Sequence, residues 1–226
     1  MANICMILGK SGTGKSTSIK TLKPEETVVV NLLNKKLPFK GSAKMYSTEK
    51  KNMFKLSEYQ DIVSLIGNIS SHATHVKTVI IDDMIYMMRK EYFKRAKESG
   101  YGKYTELAMH FQNVVQACEQ AREDLNIFFI LHSEDVQSDK VHTGFKVSTI
   151  GNLLDTQYNP IEVVPMVLYS NIRYNDKGEP EYGFYTNKFK EGAVEIPAKS
   201  PEGMFEELFI PNDLEYVTKI MNEYYG

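Results

Sequence analysis

Residues 9–16 read Gly9-Lys10-Ser11-Gly12-Thr13-Gly14-Lys15-Ser16, directly after the apolar run Ile4-Cys5-Met6-Ile7-Leu8. A buried strand, a glycine-rich turn and a helix start in that order make a socket for phosphate. Glycines let backbone N–H groups turn inward onto an anion with no Cβ in the way, and the following helix aims its positive end at the same point. The candidate nucleotide-binding residues are therefore Gly9, Ser11, Gly12, Thr13, Gly14, Lys15, Ser16 and Thr17. Lys15 would reach the β- and γ-phosphates and act in catalysis, while Ser16 would offer its hydroxyl to Mg2+. The expected cofactors are ATP and Mg2+.

Such a site also needs a carboxylate at the carboxyl end of a nearby buried strand, and Thr78-Val79-Ile80-Ile81-Asp82-Asp83 supplies two in succession. Asp82 is the metal candidate. Asp83 is the candidate to orient or deprotonate the attacking water, because successive residues at a strand end diverge; it is also placed to cap the next helix. The following apolar run, Ile127-Phe128-Phe129-Ile130-Leu131, ends in His132-Ser133-Glu134-Asp135. His132 is the candidate reporter of the γ-phosphate, and Glu134 a further candidate base.

Apolar periodicity predicts strands at 3–8, 27–33, 77–82 and 127–132, helices at 15–23, 57–72, 84–98 and 104–124, and a short strand at 43–47. Alternation of this kind means an α/β protein with a mostly parallel central sheet and helices on both faces. Residues 161–174 and 181–186 are rich in β-branched and aromatic types and flank Asn175-Asp176-Lys177-Gly178-Glu179-Pro180, which predicts a hairpin. A last helix, 213–225, would be capped by Asn212 or Asp213. The 226 residues suit a single domain, with a nucleotide-binding core at 1–135 and a C-terminal β-hairpin extension within 136–226.

Cys5 and Cys118 sit in apolar surroundings outside any CxxC or Cys/His cluster, and so are expected as buried hydrophobes. No apolar run approaches the roughly 18 residues needed to cross a bilayer. The first strand begins at once, which leaves no room for a targeting segment; a cytosolic protein with no membrane partner is expected. The net charge of −2 hides an uneven distribution, since residues 35–55 carry seven lysines against one acid, Glu49. Phe39, Tyr46 and Phe54 are interleaved with those lysines, a combination that suits single-stranded DNA if the rings face outward. Met84, Met87 and Met88 read as core or as a subunit contact.

A strand and a helix separate the phosphate loop from the aspartate strand, and a polar-tipped strand follows. Arg89, Arg95, Arg122 and Arg173 are scattered, unlike the arginine clamp of a nucleotide kinase. With Thr143-Gly144-Phe145-Lys146, the hairpin, Tyr185-Thr186-Asn187-Lys188 and Ala198-Lys199-Ser200-Pro201, the chain resembles phage-encoded RecA-like ATPases of the single-strand annealing and recombination group. That resemblance implies a RecA-like P-loop NTPase fold and slow, DNA-stimulated ATP hydrolysis in a bacterial host cytosol. Its implied partners are single-stranded DNA, further copies of the chain in a ring or filament, and other phage replication or recombination proteins.

By the same resemblance, mobile DNA-binding loops would lie at 136–149, with Lys140, His142 and Lys146. A neighbouring subunit would complete the site with a cation, for which Lys188, Lys190 and Lys199 are candidates and Arg173 a weaker one. RecA-like proteins commonly carry a glutamate at the end of the strand after the phosphate-loop helix. This chain has Asn31-Leu32-Leu33-Asn34-Lys35-Lys36 there, which leaves the task to Asp83 or Glu134. The rival functions are an AAA-type remodelling or loading ATPase acting on a replication protein, and a small-molecule kinase.

Overall fold

The computed structural model describes residues 1–150 and 153–226. The first half runs β1 (Asn3–Gly9), a 3-10 helix (Ser16–Thr21), β2 (Thr27–Asn31), α1 (Ser42–Met45), β3 (Met53–Phe54), α2 (Tyr59–His72), β4 (Thr78–Asp82), α3 (Ile85–Lys94), α4 (Gly102–Glu119) and β5 (Asn126–Ser138). The second half runs β6 (Val141–Val147), α5 (Leu153–Thr156), α6 (Pro160–Val163), β7 (Met166–Tyr174), β8 (Pro180–Tyr185), β9 (Phe189–Glu191), β10 (Val194–Ile196), β11 (Phe209–Pro211) and α7 (Leu214–Tyr225). The main sheet has the order β11-β8-β7-β1-β5-β4-β2-β3. Its pairings are parallel from β7 to β3, and only β8 and β11 run against their neighbours.

The central strands are apolar on both faces because both faces are covered. In β1, Ile4, Met6 and Leu8 face the layer of α2, α3 and α4, while Cys5 and Ile7 face the layer of the 3-10 helix and α7. The same alternation continues in β4 and β5: Val79, Ile81, Phe129 and Leu131 point one way, Ile80, Phe128 and Ile130 the other. This phase decides the site. Asp82 and His132 follow Ile80 and Ile130 by two residues, so strand geometry directs both toward the face that carries the phosphate loop.

The structure departs from the sequence expectations in several places. The helix after the loop is a 3-10 helix over 16–21 rather than an α-helix over 15–23. Ser18 Oγ donates to Lys15 O at 2.5 Å and Thr21 Oγ1 to Ser18 O at 2.9 Å, so hydroxyls claim the carbonyls of this segment before Pro24 ends it. Residues 43–47 are not a strand. Gly41, at φ +81°, turns the chain into α1, and the edge pairing with β2 goes to Met53 and Phe54.

Residues 136–147 are a hairpin rather than a loop. β5 runs past the sheet and folds back as β6 through Asp139 and Lys140, at φ +51° and +66°, the conformation of a two-residue type I′ turn. Residues 161–165 precede rather than begin β7, because Asn159 Oδ1 accepts from Ile161 N at 3.1 Å and Pro160 opens α6. The expected C-terminal hairpin is present as β7 and β8. It extends the sheet beyond β1, since β7 pairs in parallel with Cys5–Leu8. Cys5, Cys118, Met84, Met87 and Met88 are buried, and among the described residues no helix is long and apolar enough to cross a membrane.

The seam between β8 and β11 leaves no room for a side chain at Gly183. A Cβ there would lie 2.4 Å from Ile210 O and 2.6 Å from the Phe209 ring. Gly183→Ala is expected to destabilise the fold by about 1–3 kcal/mol, seen as a lower urea midpoint with an unchanged slope.

Candidate nucleotide site

The cleft over the phosphate loop has a volume of about 630 Å³. Ser11, Gly12, Gly14, Lys15, Ser16 and Thr17 line one wall; Asp82, Asp83 and His132 line another. Gly9 and Thr13 stand behind the loop instead. A Cβ on Gly9 would lie 2.7 Å from Ser170 O, so glycine permits the close approach of β1 to β7. Thr13 Oγ1 donates to Lys10 O at 2.9 Å, and Thr13 O accepts from Ser170 Oγ at 2.8 Å. Gly12 and Gly14 hold φ +83° and +95°, the left-handed region that turns the loop's amides inward.

Lys15 is 5% exposed, and its Nζ donates to Gly9 O at 2.8 Å and Lys10 O at 2.5 Å. Burial pulls its ammonium down to about 8, against the attraction of Asp83 and Asp82. Ser16 Oγ donates to Asp82 Oδ1 at 2.8 Å, joining the loop to β4 across the intervening β5. Asp82 is 7% exposed; burial first, and then the charge of Asp83, push its carboxyl up to about 6.

A hydroxyl and a carboxylate oxygen facing one another suit a hard cation such as Mg2+. Among the described residues no cluster of three His, Cys, Asp or Glu side chains could hold a metal. An ion held by Ser16 and Asp82 would therefore draw the rest of its shell from phosphate and water, as Mg2+ with a nucleotide does. Bound there, it would neutralise charge on the phosphates.

Asp83 sits at φ +60°, an unusual backbone for a non-glycine residue, which turns its side chain away from that of Asp82. His132 Nε2 lies 2.9 Å from Asp83 Oδ1, and Lys35 Nζ lies 3.2 Å from Asp83 Oδ2. Burial alone would raise the Asp83 pKa, but the His132 hydrogen bond and the Lys35 charge outweigh it and hold the carboxylate below its usual range. A carboxylate so stabilised orients a water better than it deprotonates one.

The remaining sequence candidates lie elsewhere. Glu134 pairs with Lys146 at 3.1 Å on the β5–β6 hairpin and does not line the cleft. Lys188 pairs with Glu195 at 2.8 Å, and Lys199 Nζ donates to Glu162 O at 3.2 Å. Lys190 is exposed, and Arg173 stacks over Phe209 and Tyr185 at 4.1 and 4.6 Å from the ring centres. In the lysine-rich segment the aromatics turn inward: Tyr46 is 2% exposed, while Phe39 and Phe54 pack on the two core layers. That segment offers charge without a stacking surface, because its rings are taken up by the core.

Six of the described lining residues were not read from the sequence as part of the cleft: Lys20, Lys35, Lys36, Pro38, Tyr182 and Asn212. Asp213 caps α7 by accepting from Tyr216 N at 3.0 Å, which frees Asn212 Nδ2 to donate to Gly14 O at 3.0 Å. A Cβ on Gly14 would meet that nitrogen at 2.2 Å and the Tyr182 ring at 3.1 Å. No local signal marks a contact across 198 residues.

Residues 1–193 match the family model described as AAA domain. The chain belongs to the AAA domain family. Its cleft is that of a P-loop ATPase, and its mostly parallel sheet, with β5 between the loop strand and the aspartate strand, is a RecA-like P-loop architecture. A KaiC-like protein from the hyperthermophilic archaeon Pyrococcus horikoshii superposes with a TM-score of 0.47 at 11% identity, covering 85% of this chain and 83% of that one. A superposition that loose adds nothing to what the sheet order says. Curated protein sequences give no match.

Two outcomes are expected. Lys15→Ala weakens ATP binding by about thirtyfold or more, the loss of a charge-assisted contact worth about 2 kcal/mol or more, read by titration with a fluorescent ATP analogue. Asp82→Asn separates stability from binding. Because the folded state holds the Asp82 proton more tightly than the unfolded chain, the wild type loses stability as pH rises from about 4 to about 6. Measured without nucleotide or Mg2+ at about pH 7.5, Asp82→Asn is therefore the more stable by on the order of 2 kcal/mol, an advantage that shrinks toward about pH 4. Its ATP binding no longer responds to Mg2+.

Proposed function

We propose that this protein hydrolyses ATP slowly, assembles as an oligomer on single-stranded DNA, and pairs or anneals strands during phage recombination in the cytosol of a bacterial host. The observation that carries the reading is the position of the lysine-rich segment. Lys35 and Lys36 line the nucleotide cleft itself, and Lys40 and Lys55 add exposed charge to the surface of the same segment. A polyanion held along that surface would lie beside the γ-phosphate position, where Lys35 engages Asp83.

Slow turnover follows from the low basicity of Asp83, and the reach of His132 to the same carboxylate suits it to report whether a γ-phosphate is present. The described residues lining the cleft include no arginine, so a cation from a neighbouring subunit would complete charge neutralisation. Lys188, Lys190 and Lys199 are the proposed donors. The AAA domain match favours a second reading as well, a remodelling or loading ATPase whose partner is another replication protein.

ATPase rates measured with and without single-stranded oligonucleotide at low salt separate the two. Stimulation by single strands, weakening steeply as salt is raised, is expected for the first reading. A protein that binds no oligonucleotide and is not stimulated by it overturns that reading and leaves the second.

A further inference from the structure

Among the described residues a second groove is larger than the nucleotide cleft. It lies along α3 and the start of α4, has a volume of about 1260 Å³, and is walled by the rings of Tyr86, Tyr92, Phe93, Tyr101 and Tyr104. Two of these rings stand well out from the surface: Phe93 is 74% and Tyr101 89% exposed. The volume exceeds the roughly 300–1,000 Å³ typical of small-ligand sites, which suits an extended ligand over a compact one.

Charge narrows the occupant. Arg89 and Lys90 line the groove, and no Asp or Glu does among the described lining residues. The acids of this stretch are drawn off elsewhere: Arg95 binds Glu91, Glu98 and Glu106 at 3.0, 2.8 and 2.7 Å. Lys103 adds a further cation at the rim, 5.1 and 5.6 Å from the Tyr92 and Tyr104 ring centres. Aromatic faces set among cations, with the acids neutralised, match a polyanion whose units carry flat rings. A self-associating apolar surface would not need the acids removed.

The groove also adjoins the nucleotide cleft. Lys35, which pairs with Asp83, has its Nζ 5.8 Å from the Tyr86 ring centre, and Arg89 covers the same ring at 4.8 Å while donating to Ser148 Oγ at 2.8 Å.

We infer that the groove along α3 and α4 is the base-stacking site for single-stranded DNA, with Phe93 and Tyr101 as its principal platforms and Arg89 and Lys90 on the phosphates. This rests on the single-strand reading above and places the stacking surface away from residues 35–55 and the β5–β6 hairpin, the two DNA-binding candidates of the sequence.

The test uses the full chain and fluorescein-labelled oligo(dT) at low salt, followed by anisotropy. The Phe93→Ala/Tyr101→Ala double variant is expected to bind at least about tenfold more weakly, with ATP affinity unchanged, while Lys140→Ala at the hairpin tip binds nearly as the wild type does. Both groove positions are exposed, so the fold should tolerate the change, and a circular dichroism melt checks this. The chain has no tryptophan, which makes Tyr101→Trp a direct reporter. Its single indole should be quenched by oligo(dT) and not by a duplex of equal length.

A double variant that binds oligo(dT) like the wild type, or an indole that oligo(dT) leaves unquenched, overturns the groove and leaves the single-strand reading standing. A double variant that alters the oligomer by light scattering while binding oligo(dT) normally overturns it in favour of a subunit contact. A wild type that binds no oligo(dT) removes the single-strand reading and the groove together.

Discussion

The hydrogen bond from Ser16 Oγ to Asp82 Oδ1 joins the two halves of this molecule's chemistry across a strand that belongs to neither. β1 delivers the phosphate loop, β4 delivers the carboxylates, and β5 lies between them. Because all three strands are buried on both faces, side-chain phase is fixed by packing alone, and a slip of one residue in β4 would turn Asp82 into the opposite layer. The apolar alternation of Val79, Ile80 and Ile81 therefore aims a carboxylate as well as filling a core. The site is a consequence of the sheet's burial.

That aim has an electrostatic cost that the rest of the cleft distributes. Two adjacent carboxylates cannot both be buried and ionised without help. Asp83 receives that help from His132 and Lys35 and stays charged; at Asp82 the Ser16 hydrogen bond and the charges of Lys35 and Lys15 do not offset burial beside Asp83, and its pKa rises. The left-handed backbone at Asp83 accompanies a divergence of the two side chains, so that Asp82 meets Ser16 and Asp83 faces His132. Lys35, four residues past the end of β2, thus helps to keep Asp83 ionised.

The C-terminal third closes the site from the far side. β7 presses Ser170 against the loop through the space left by Gly9, and Asn212 reaches Gly14 O from the residue just before the cap of α7. These contacts hold the loop from behind and beside, leaving its inward face to the ligand. The aromatic groove on the other side of Lys35 gives that ligand site a neighbour, with Tyr86 shared between the surroundings of Lys35 and the groove wall.

The phosphate loop, the aspartate pair, His132 and the mostly parallel sheet were legible in the sequence because each depends on local order: glycine spacing, an apolar run, a polar tip. Where local signals competed, reading failed. Hydroxyl side chains tightened the expected α-helix into a 3-10 helix, a left-handed glycine converted an expected strand to a helix, and a two-residue turn made a hairpin of an expected loop. Composition could not say which way a ring points, so Phe39, Tyr46 and Phe54 looked like a nucleic-acid surface until the core claimed them. The sequence by itself determined that a phosphate loop and a carboxylate at the end of a buried strand exist. Only the tertiary structure decided that Lys35, Tyr182 and Asn212 complete the cleft and that five aromatic rings share one groove, because those contacts arise from strand order and cross-chain packing, which no short window of residues records.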